Sequence, residues 1–160
     1  MILDVCKEMF EAREYDIYEE SDHVLKATKP NGVRVYLFVL PQEKFNIDIV
    51  KYYYRLFLYE NIKHAILVYK NQITPSVKKI ISGIHSIRIE LFCETSFYDN
   101  ITRHQLVPKH IRISTDGHRD LQKYPSIRKS DPVCRFYGFN TGELIKITRR
   151  DGSIYFRVVK

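Results

Sequence analysis

Residues 74–79, Thr-Pro-Ser-Val-Lys-Lys, combine the groups that bind a phosphate without reading a base. Thr74 is suited to cap a helix that begins at Pro75, and a helix N-terminus offers unpaired N–H groups and partial positive charge. The hydroxyl of Ser76 and the ammonium groups of Lys78 and Lys79 follow within about one turn. This pattern permits a salt-sensitive contact with a nucleic-acid backbone. It also fits an ordinary capped helix with solvated lysines, and the sequence leaves both interpretations open.

Histidine is the other residue type that suggests chemistry, because it can bind metal ions or move protons. The six histidines are His23, His64, His85, His104, His110 and His118. None forms an H-x-x-x-H pair or lies near two cysteines at ligand spacing, so neither a metal site nor another cofactor is predicted. His104 and His110 flank Pro108, and packing or hydrogen-bonding roles are expected for them.

Catalytic motifs of the common classes do not occur in the chain. There is no G-x-S-x-G, P-loop or G-x-G-x-x-G motif. A metal-dependent nuclease would need a carboxylate two residues before a lysine, but no Asp-x-Lys or Glu-x-Lys occurs, and the nearest sequence is Glu11-Ala12-Arg13. The chain is therefore predicted to have no active site of its own.

Composition indicates a globular protein of one domain or two small ones. The 160 residues are 44% hydrophobic and 13% aromatic, which is enough for a packed core. No apolar run reaches the ~18 residues of a membrane span, and the acidic start does not resemble a signal peptide, so an intracellular, non-membrane protein is expected. Cys6, Cys93 and Cys134 have no C-x-x-C spacing, and they are expected to be reduced thiols in or near the core.

The net charge of +7 is unevenly distributed. Lys and Arg outnumber Asp and Glu by 13 to 7 in residues 94–160, but only by 13 to 12 in residues 1–93. A basic C-terminal part is typical of nucleic-acid binding or of docking on an acidic protein surface.

Hydrophobic spacing predicts an α/β layer with a mixed sheet in the first 95 residues. Within it, Tyr52 is expected on the buried side of the second helix, with Ile49, Tyr53, Leu56 and Phe57. The predicted elements are a helix at 2–14, a solvated edge or turn at 16–22, a hairpin of 24–28 with 33–40, a helix at 45–59, a strand at 65–69, a helix from Pro75 to Gly83 and a strand at 86–93.

The remaining residues predict a small α+β module. Asp131 as cap, Pro132 and Gly138 mark a very short helix, which is followed by a strand at 143–147. Asp151-Gly152 predicts a tight, two-residue hairpin turn between that strand and residues 154–159. The other predicted elements are an extended segment at 106–113, a short helix at 114–121 and a loop at 124–130.

Three stretches of this sequence resemble one known family, in the family's order. Residues 131–147 resemble the signature of the fifth-subunit family of multisubunit DNA-directed RNA polymerases, which has both eukaryotic and archaeal members. Residues 101–114 are similar to its N-x-T-x-H-x-L-V-P-K-H-x-R-x-S run, and residues 71–76 resemble a stretch of its eukaryotic members. The resemblance covers residues 66–160, and residues 1–65 match by length and pattern.

The resemblance implies a non-catalytic subunit in the nucleus, with a jaw domain (1–95) of restriction-endonuclease-like architecture and an assembly domain (96–160). The jaw would lie beside downstream duplex DNA, with the backbone contacts made by residues 74–79. The assembly domain would dock on the largest subunit, beside a small sixth-type subunit, and no homo-oligomer is expected. The implied interface residues are Val107, Pro108, Lys109, His110, Arg112, Asp131, Pro132, Arg135, Tyr137, Gly138, Gly142 and Lys146.

The chain is shorter than the family's usual members, mainly in the jaw and between residues 114 and 131. A compact eukaryotic parasite or a large DNA virus would each explain this, and the viral case would place the protein in a viral factory or virion. Two other functions remain open on the sequence alone. They are a free-standing basic protein that binds DNA or RNA, and a nuclease-like domain that lacks the catalytic motif.

Overall fold

The computed structural model describes residues 2–160, which form two compact units. The first ends at Asp99, and the second spans Asn100–Lys160. Both contain helices and a sheet, which confirms the predicted mixed α/β class. The elements of the first unit are α1 (Ile2–Ala12), β1 (Asp16–Ser21), β2 (Val24–Thr28), β3 (Arg34–Val39), α2 (Ile47–Tyr59), β4 (His64–Tyr69), α3 (Pro75–Ser82) and β5 (Arg88–Cys93).

The sheet of the first unit has the order β1-β2-β3-β4-β5. The first three strands are antiparallel, and β3, β4 and β5 are parallel, so the predicted mixed sheet is confirmed. β4 is buried almost throughout because it pairs on both sides and both sheet faces are covered. The acidic β1 forms one edge, where most of its side chains are exposed.

Helices α2 and α3 cover one face of this sheet. Their buried side chains pack with alternate residues of β3 and β4, which include Tyr36, Phe38 and Leu67. The buried residues of α2 are Val50, Tyr53 and Phe57. Tyr52, which the hydrophobic spacing placed on this side, is 64% exposed, so that prediction was wrong. The error arises because Val50, Tyr53 and Phe57 also follow helical spacing, and the stripe that they form, which is the buried one, does not include Tyr52.

The second unit has a four-stranded sheet of order β6-β8-β9-β7 and one short α-helix. β8 pairs antiparallel with both β6 and β9, and β7 pairs with β9 in parallel. The predicted helix from Pro132 and the strand after it are confirmed. The elements are β6 (Lys109–Ile113), β7 (Ser126–Ile127), α4 (Pro132–Tyr137), β8 (Leu144–Thr148) and β9 (Ile154–Val159), with 3-10 turns at Ile101–Arg103 and Leu121–Lys123.

Two predictions between β6 and α4 were wrong. Residues 114–121 form turns rather than a helix, because the Ser114 hydroxyl accepts the N–H of Asp116 and Gly117 takes a φ of 80°. Both features close a local turn in place of helical hydrogen bonds. The predicted loop at 124–130 contains β7, whose two residues pair with Val158 and Val159. A two-residue strand gives no periodic signal, so only its partner reveals it.

The β2–β3 and β8–β9 hairpins use the same type of turn. Lys29 donates its N–H to Val33 O at 2.9 Å, and Arg149 donates to Ser153 O at 2.9 Å. Three residues lie between each pair, and the last of them is a glycine with φ above 80°, Gly32 or Gly152. The loop longer than two residues predicted for the first hairpin is confirmed, while the two-residue turn predicted for the second was wrong.

The three cysteines form no disulfide; Cys6 and Cys134 are buried and Cys93 is half-buried. The expectation of reduced thiols in or near the core is therefore confirmed. Burial raises the pKa of the Cys6 thiol to about 12, so it is not a reactive thiolate. Within residues 2–160, no helix is long and apolar enough to cross a membrane.

Candidate functional site

The N-terminus of α3 has the geometry that the sequence predicted. Thr74 caps the helix, and its hydroxyl accepts the N–H of Val77 at 3.4 Å, while Pro75 occupies the first helical position. Thr74, Ser76, Lys78 and Lys79 are exposed. Gly83 ends the helix with a φ of −81°, so it does not use glycine's left-handed freedom. The exposed N-terminal turn is therefore accessible to an anionic partner.

A groove of about 770 Å³ adjoins this turn. It is lined by residues 43–48, which include the Asn46 cap of α2, and by residues of the α3 start such as Thr74 and Ser76. Both helices follow parallel strands, so both N-termini lie at the carboxyl edge of that part of the sheet. Lys44 and the amide-bearing Asn71 and Gln72 also line the groove, but so do Glu43 and Asp48. The groove is thus of mixed charge.

In the second unit, the family signature forms a tightly capped helix. The Asp131 carboxylate accepts the N–H groups of Val133 and Cys134 at 2.9 and 3.4 Å. Gly138 ends the helix in the left-handed region, with a φ of 67°, and its N–H bonds to the carbonyls of the last turn. Gly142 has a φ of 90° and donates to Val159 O at 2.9 Å, which joins the turn after α4 to β9. These three signature residues, Asp131, Gly138 and Gly142, therefore determine the local backbone conformation.

Helix α4 packs on one face of the second sheet. Cys134 and Phe139 form a core cluster with Ile145, Ile147 and Val159, and Tyr137 packs against it. The Tyr137 and Phe139 rings stack with their centroids 5.2 Å apart. Burial, with the nearby Asp131 charge, raises the pKa of the Cys134 thiol to about 11. We call the side of the sheet that α4 covers, which carries Ile145, Ile147 and Val159, the helix face.

The residues predicted around β6 have different environments. His110 is buried and its Nδ1 lies 2.8 Å from Pro108 O, and exposed His104 accepts the N–H of Leu106 at 3.2 Å. Arg112 is exposed and contacts the Glu143 carboxylate at 3.3 Å. Val107 and Pro108 are half-buried, Lys109 is exposed, and Lys146 is half-buried on β8.

The predicted interface residues of β6 and β8 lie on both sides of the second sheet. Strand alternation and register place Lys109 and Lys146 on the sheet side opposite the helix face, whereas His110 and Arg112 share the helix face. Asp131, Gly138 and Gly142 set backbone geometry, and His110 contributes to the core. Pro132 is exposed and Arg135 half-buried on α4.

Sequence reasoning missed a buried charged cluster in the first unit. Glu90 on β5 accepts two 3.0 Å hydrogen bonds from the Arg13 guanidinium, and its carboxylate lies 2.6 Å from His64 Nε2 and 3.2 Å from Arg88. The Tyr15 hydroxyl lies 3.2 Å from His64 Nδ1. The sequence contained one signal for this cluster, the single acid in the apolar run Ile89-Glu90-Leu91-Phe92. A lone carboxylate in a half-buried strand needs hydrogen-bonding or charged partners.

This cluster shifts the pKa values of its members. Burial alone would raise the pKa of Glu90, but the His64 hydrogen bond and the Arg13 charge outweigh it and lower that pKa far below 4.5. Burial lowers the pKa of His64 below 6.5, more than the Glu90 contact raises it. Across residues 2–160, no group of three or more His, Cys, Asp or Glu side chains could hold a metal ion.

Comparison with protein families identifies the class of protein to which the second unit belongs. Residues 99–159 match the family model described as RNA polymerase Rpb5, C-terminal domain. The second unit therefore belongs to that domain family, and the resemblance to the fifth-subunit family is confirmed.

Individual relatives are similar over a longer region. The chain is 32% identical over 126 residues to DNA-directed RNA polymerases I, II, and III subunit rpabc1 of Dictyostelium discoideum, which covers 72% of this chain and 64% of that protein. It is 30% identical over 125 residues to the subunit RPABC1 of Caenorhabditis briggsae, which covers 72% and 59%. The chain thus spans about three fifths of the length of these relatives.

Proposed function

We propose that this protein is a non-catalytic subunit of a multisubunit DNA-directed RNA polymerase and acts in the nucleus. The match of residues 99–159 to the Rpb5 C-terminal domain carries the proposal, because it includes the whole of β6, α4, β8 and β9. Relatives that are named as polymerase subunits extend the similarity beyond that domain. The absence of the common catalytic motifs from the sequence fits a subunit that supports catalysis performed elsewhere.

In this proposal the second unit is the assembly domain and docks on the largest subunit, next to a sixth-type small subunit. The unit has about 60 residues, a size at which a single core gives marginal stability and a partner adds to it. Its excess of Lys and Arg favours an acidic partner surface. Exposed Lys109 and Arg112 on β6 and exposed Pro132 on α4 would supply contacts with these two subunits, while Asp131 and Gly138 maintain the bounds of α4.

The first unit would act as the jaw domain and support downstream DNA through the α3 N-terminus. Four exposed side chains, Thr74, Ser76, Lys78 and Lys79, surround a helix start whose partial charge is positive. The hydroxyl of Thr74 accepts the cap hydrogen bond and can still donate its own proton, so Thr74, Ser76 and the two lysines can all donate to phosphate oxygens. Such contacts would hold the duplex in position without selecting a sequence.

The test is purification of the tagged full chain from native extract, with quantitative mass spectrometry of the associated proteins. A polymerase subunit is expected to recover the largest polymerase subunit at a near-equimolar ratio. Recovery of the chain alone, together with tight and steeply salt-dependent DNA binding by the isolated protein, would instead establish a free-standing nucleic-acid-binding protein. Cleavage of DNA that requires a divalent metal ion would establish a nuclease.

A further inference from the structure

The side of the second sheet opposite the helix face changes from buried to open along its length. The pairing of β6, β8 and β9 sets three rows of side chains across this side. The rows are Ile113-Leu144-Val158, Ile111-Lys146-Phe156 and Lys109-Thr148-Ile154. Leu144 and Val158 in the first row are buried, while Ile111 and Ile154 in the other two are 41% and 49% exposed.

The loop between β6 and β7 covers part of this side. The His118 ring lies 5.5 Å from that of Phe156, and Tyr124 meets Phe156 edge-on at 6.3 Å. A hydrogen-bonding contact of 3.0 Å between His118 Nδ1 and the Tyr124 hydroxyl holds the two rings together. The cover stops at Phe156, so Ile111 at the other end of the same row and Ile154 in the next row remain in contact with solvent.

We propose that this open end, formed by Lys109, Ile111, Lys146, Thr148 and Ile154, is the surface that binds the larger polymerase subunit, through a segment that carries both acidic and aliphatic side chains. The inference rests on the proposed function and specifies its contact surface. Burial of Ile111 and Ile154 would supply apolar contact area, and the two lysines would pair with carboxylates.

Charge determines the kind of partner. Neither Lys109 nor Lys146 forms an ion pair with another residue in the range 2–160, so both ammonium groups can pair with the carboxylates of a partner. A second copy of this chain facing the same patch would bring lysine against lysine, which is repulsive. Nucleic acid is disfavoured because Ile111 and Ile154 offer neither a hydrogen bond to a phosphate backbone nor an aromatic surface on which unpaired bases could stack. An acidic protein segment meets both the apolar and the charged requirements.

Two adjacent residues of β9 provide a matched pair for the experiment. Ile154 is 49% exposed on the open end, and Tyr155 is 44% exposed on the helix face. Tagged full-length wild type, Ile154→Glu, Tyr155→Glu and Lys109→Glu/Lys146→Glu are purified from native cells, and the largest polymerase subunit is quantified by mass spectrometry. We expect at least tenfold lower recovery with Ile154→Glu and with the lysine double variant, and less than a twofold change with Tyr155→Glu.

A photo-crosslinking residue, p-benzoylphenylalanine, gives a second measurement that requires no loss of binding. At position 154 it is expected to crosslink to the largest subunit, and at position 155 it is not. Wild-type recovery of the polymerase with unchanged recovery by all variants and no crosslink at 154 would overturn the surface while the subunit assignment stands. Failure of wild type to recover any polymerase would overturn the proposed function. A crosslink from 154 to a second copy of the chain, or to DNA, would overturn the choice of partner.

Discussion

The guanidinium of Arg13 forms two parallel hydrogen bonds, each 3.0 Å long, with the carboxylate of Glu90, which lies 77 residues later in the chain. Arg13 follows α1, and Glu90 lies in β5 at the sheet edge opposite β1. On the same sheet side, His64 and Arg88 also contact Glu90. The pair therefore attaches the end of α1 to the parallel part of the sheet.

Loss of Arg13 should strongly destabilise the first unit. Arg13→Met removes the nearly buried bidentate partner and leaves the Glu90 charge partly uncompensated, so the free energy of unfolding should fall by about 3 kcal/mol. Arg88→Met is the matched control, because Arg88 reaches the same carboxylate from a 42% exposed position and should cost less than about 1 kcal/mol. Urea unfolding of the full chain measures both, and equal losses would contradict the proposed role of Arg13.

Stability should decrease on mild acidification because of His64. Its pKa in the folded state is below the ordinary 6.5, so the unfolded chain binds a proton more readily and stability falls as the pH drops below about 6.5. The slope from this one group is limited to about 1.4 kcal/mol per pH unit. Glu90, whose pKa is also lowered, adds its own loss only below pH 4.5.

The measurement is the free energy of unfolding of His64→Gln and wild type between pH 7.5 and pH 5. The variant should show a flatter pH dependence whatever its absolute stability. His85→Gln changes an exposed histidine and serves as the control. An unchanged slope in His64→Gln would show that its protonation is not linked to folding.

Removal of the Asp131 cap should weaken α4. Asp131→Ala leaves the N–H groups of Val133 and Cys134 without their acceptor, at a cost of about 1 kcal/mol. Asp131→Asn keeps a side-chain oxygen and should cost only a few tenths of that. Thermal unfolding of the two variants checks this prediction, and an equal loss would assign the effect to the charge of Asp131 rather than to its capping oxygen.

Two glycines at helix ends should respond differently to alanine. Gly138 has a φ of 67°, where a Cβ is strained, so Gly138→Ala should destabilise the protein by about 1 kcal/mol. Gly83 has a φ of −81°, and a Cβ there would meet its nearest neighbours at ordinary contact distances from 3.4 Å, so Gly83→Ala should cost nothing measurable. The shift in melting temperature compares them directly. A larger loss at position 83 would contradict the argument from φ.

The proposed DNA contact predicts a change in salt dependence. Lys78→Glu/Lys79→Glu in the polymerase that contains this chain should weaken its binding to downstream duplex DNA. It should also reduce the slope of log affinity against log salt by about 0.9 for each phosphate that the lysines no longer neutralise. Lys51→Glu/Lys63→Glu, at two exposed positions outside α3, is the charge-matched control. Parallel salt dependences for wild type and the double variant would show that the α3 N-terminus does not touch DNA.

Local signals predicted the elements whose ends are set by their own residues. Asp131, Pro132 and Gly138 fix the bounds of α4 because capping and backbone conformation act within a few residues. The same holds for Thr74 and Pro75 at the start of α3. β7 could not be predicted, since its two residues are a strand only because β9 pairs with them. Residues 114–121 were mispredicted because a side-chain turn at Ser114 and the positive φ of Gly117 replaced the expected helix.

By itself, the sequence determined the mixed α/β class, the two helix starts at prolines and the relation to the polymerase family, because each depends on residue type and short spacing. Only the tertiary structure decided that Arg13, His64 and Glu90 meet, and that Lys109 and Lys146 lie on the opposite side of the sheet from Arg112. Contacts between distant segments depend on strand order and register, and these are set by the packing of the whole unit.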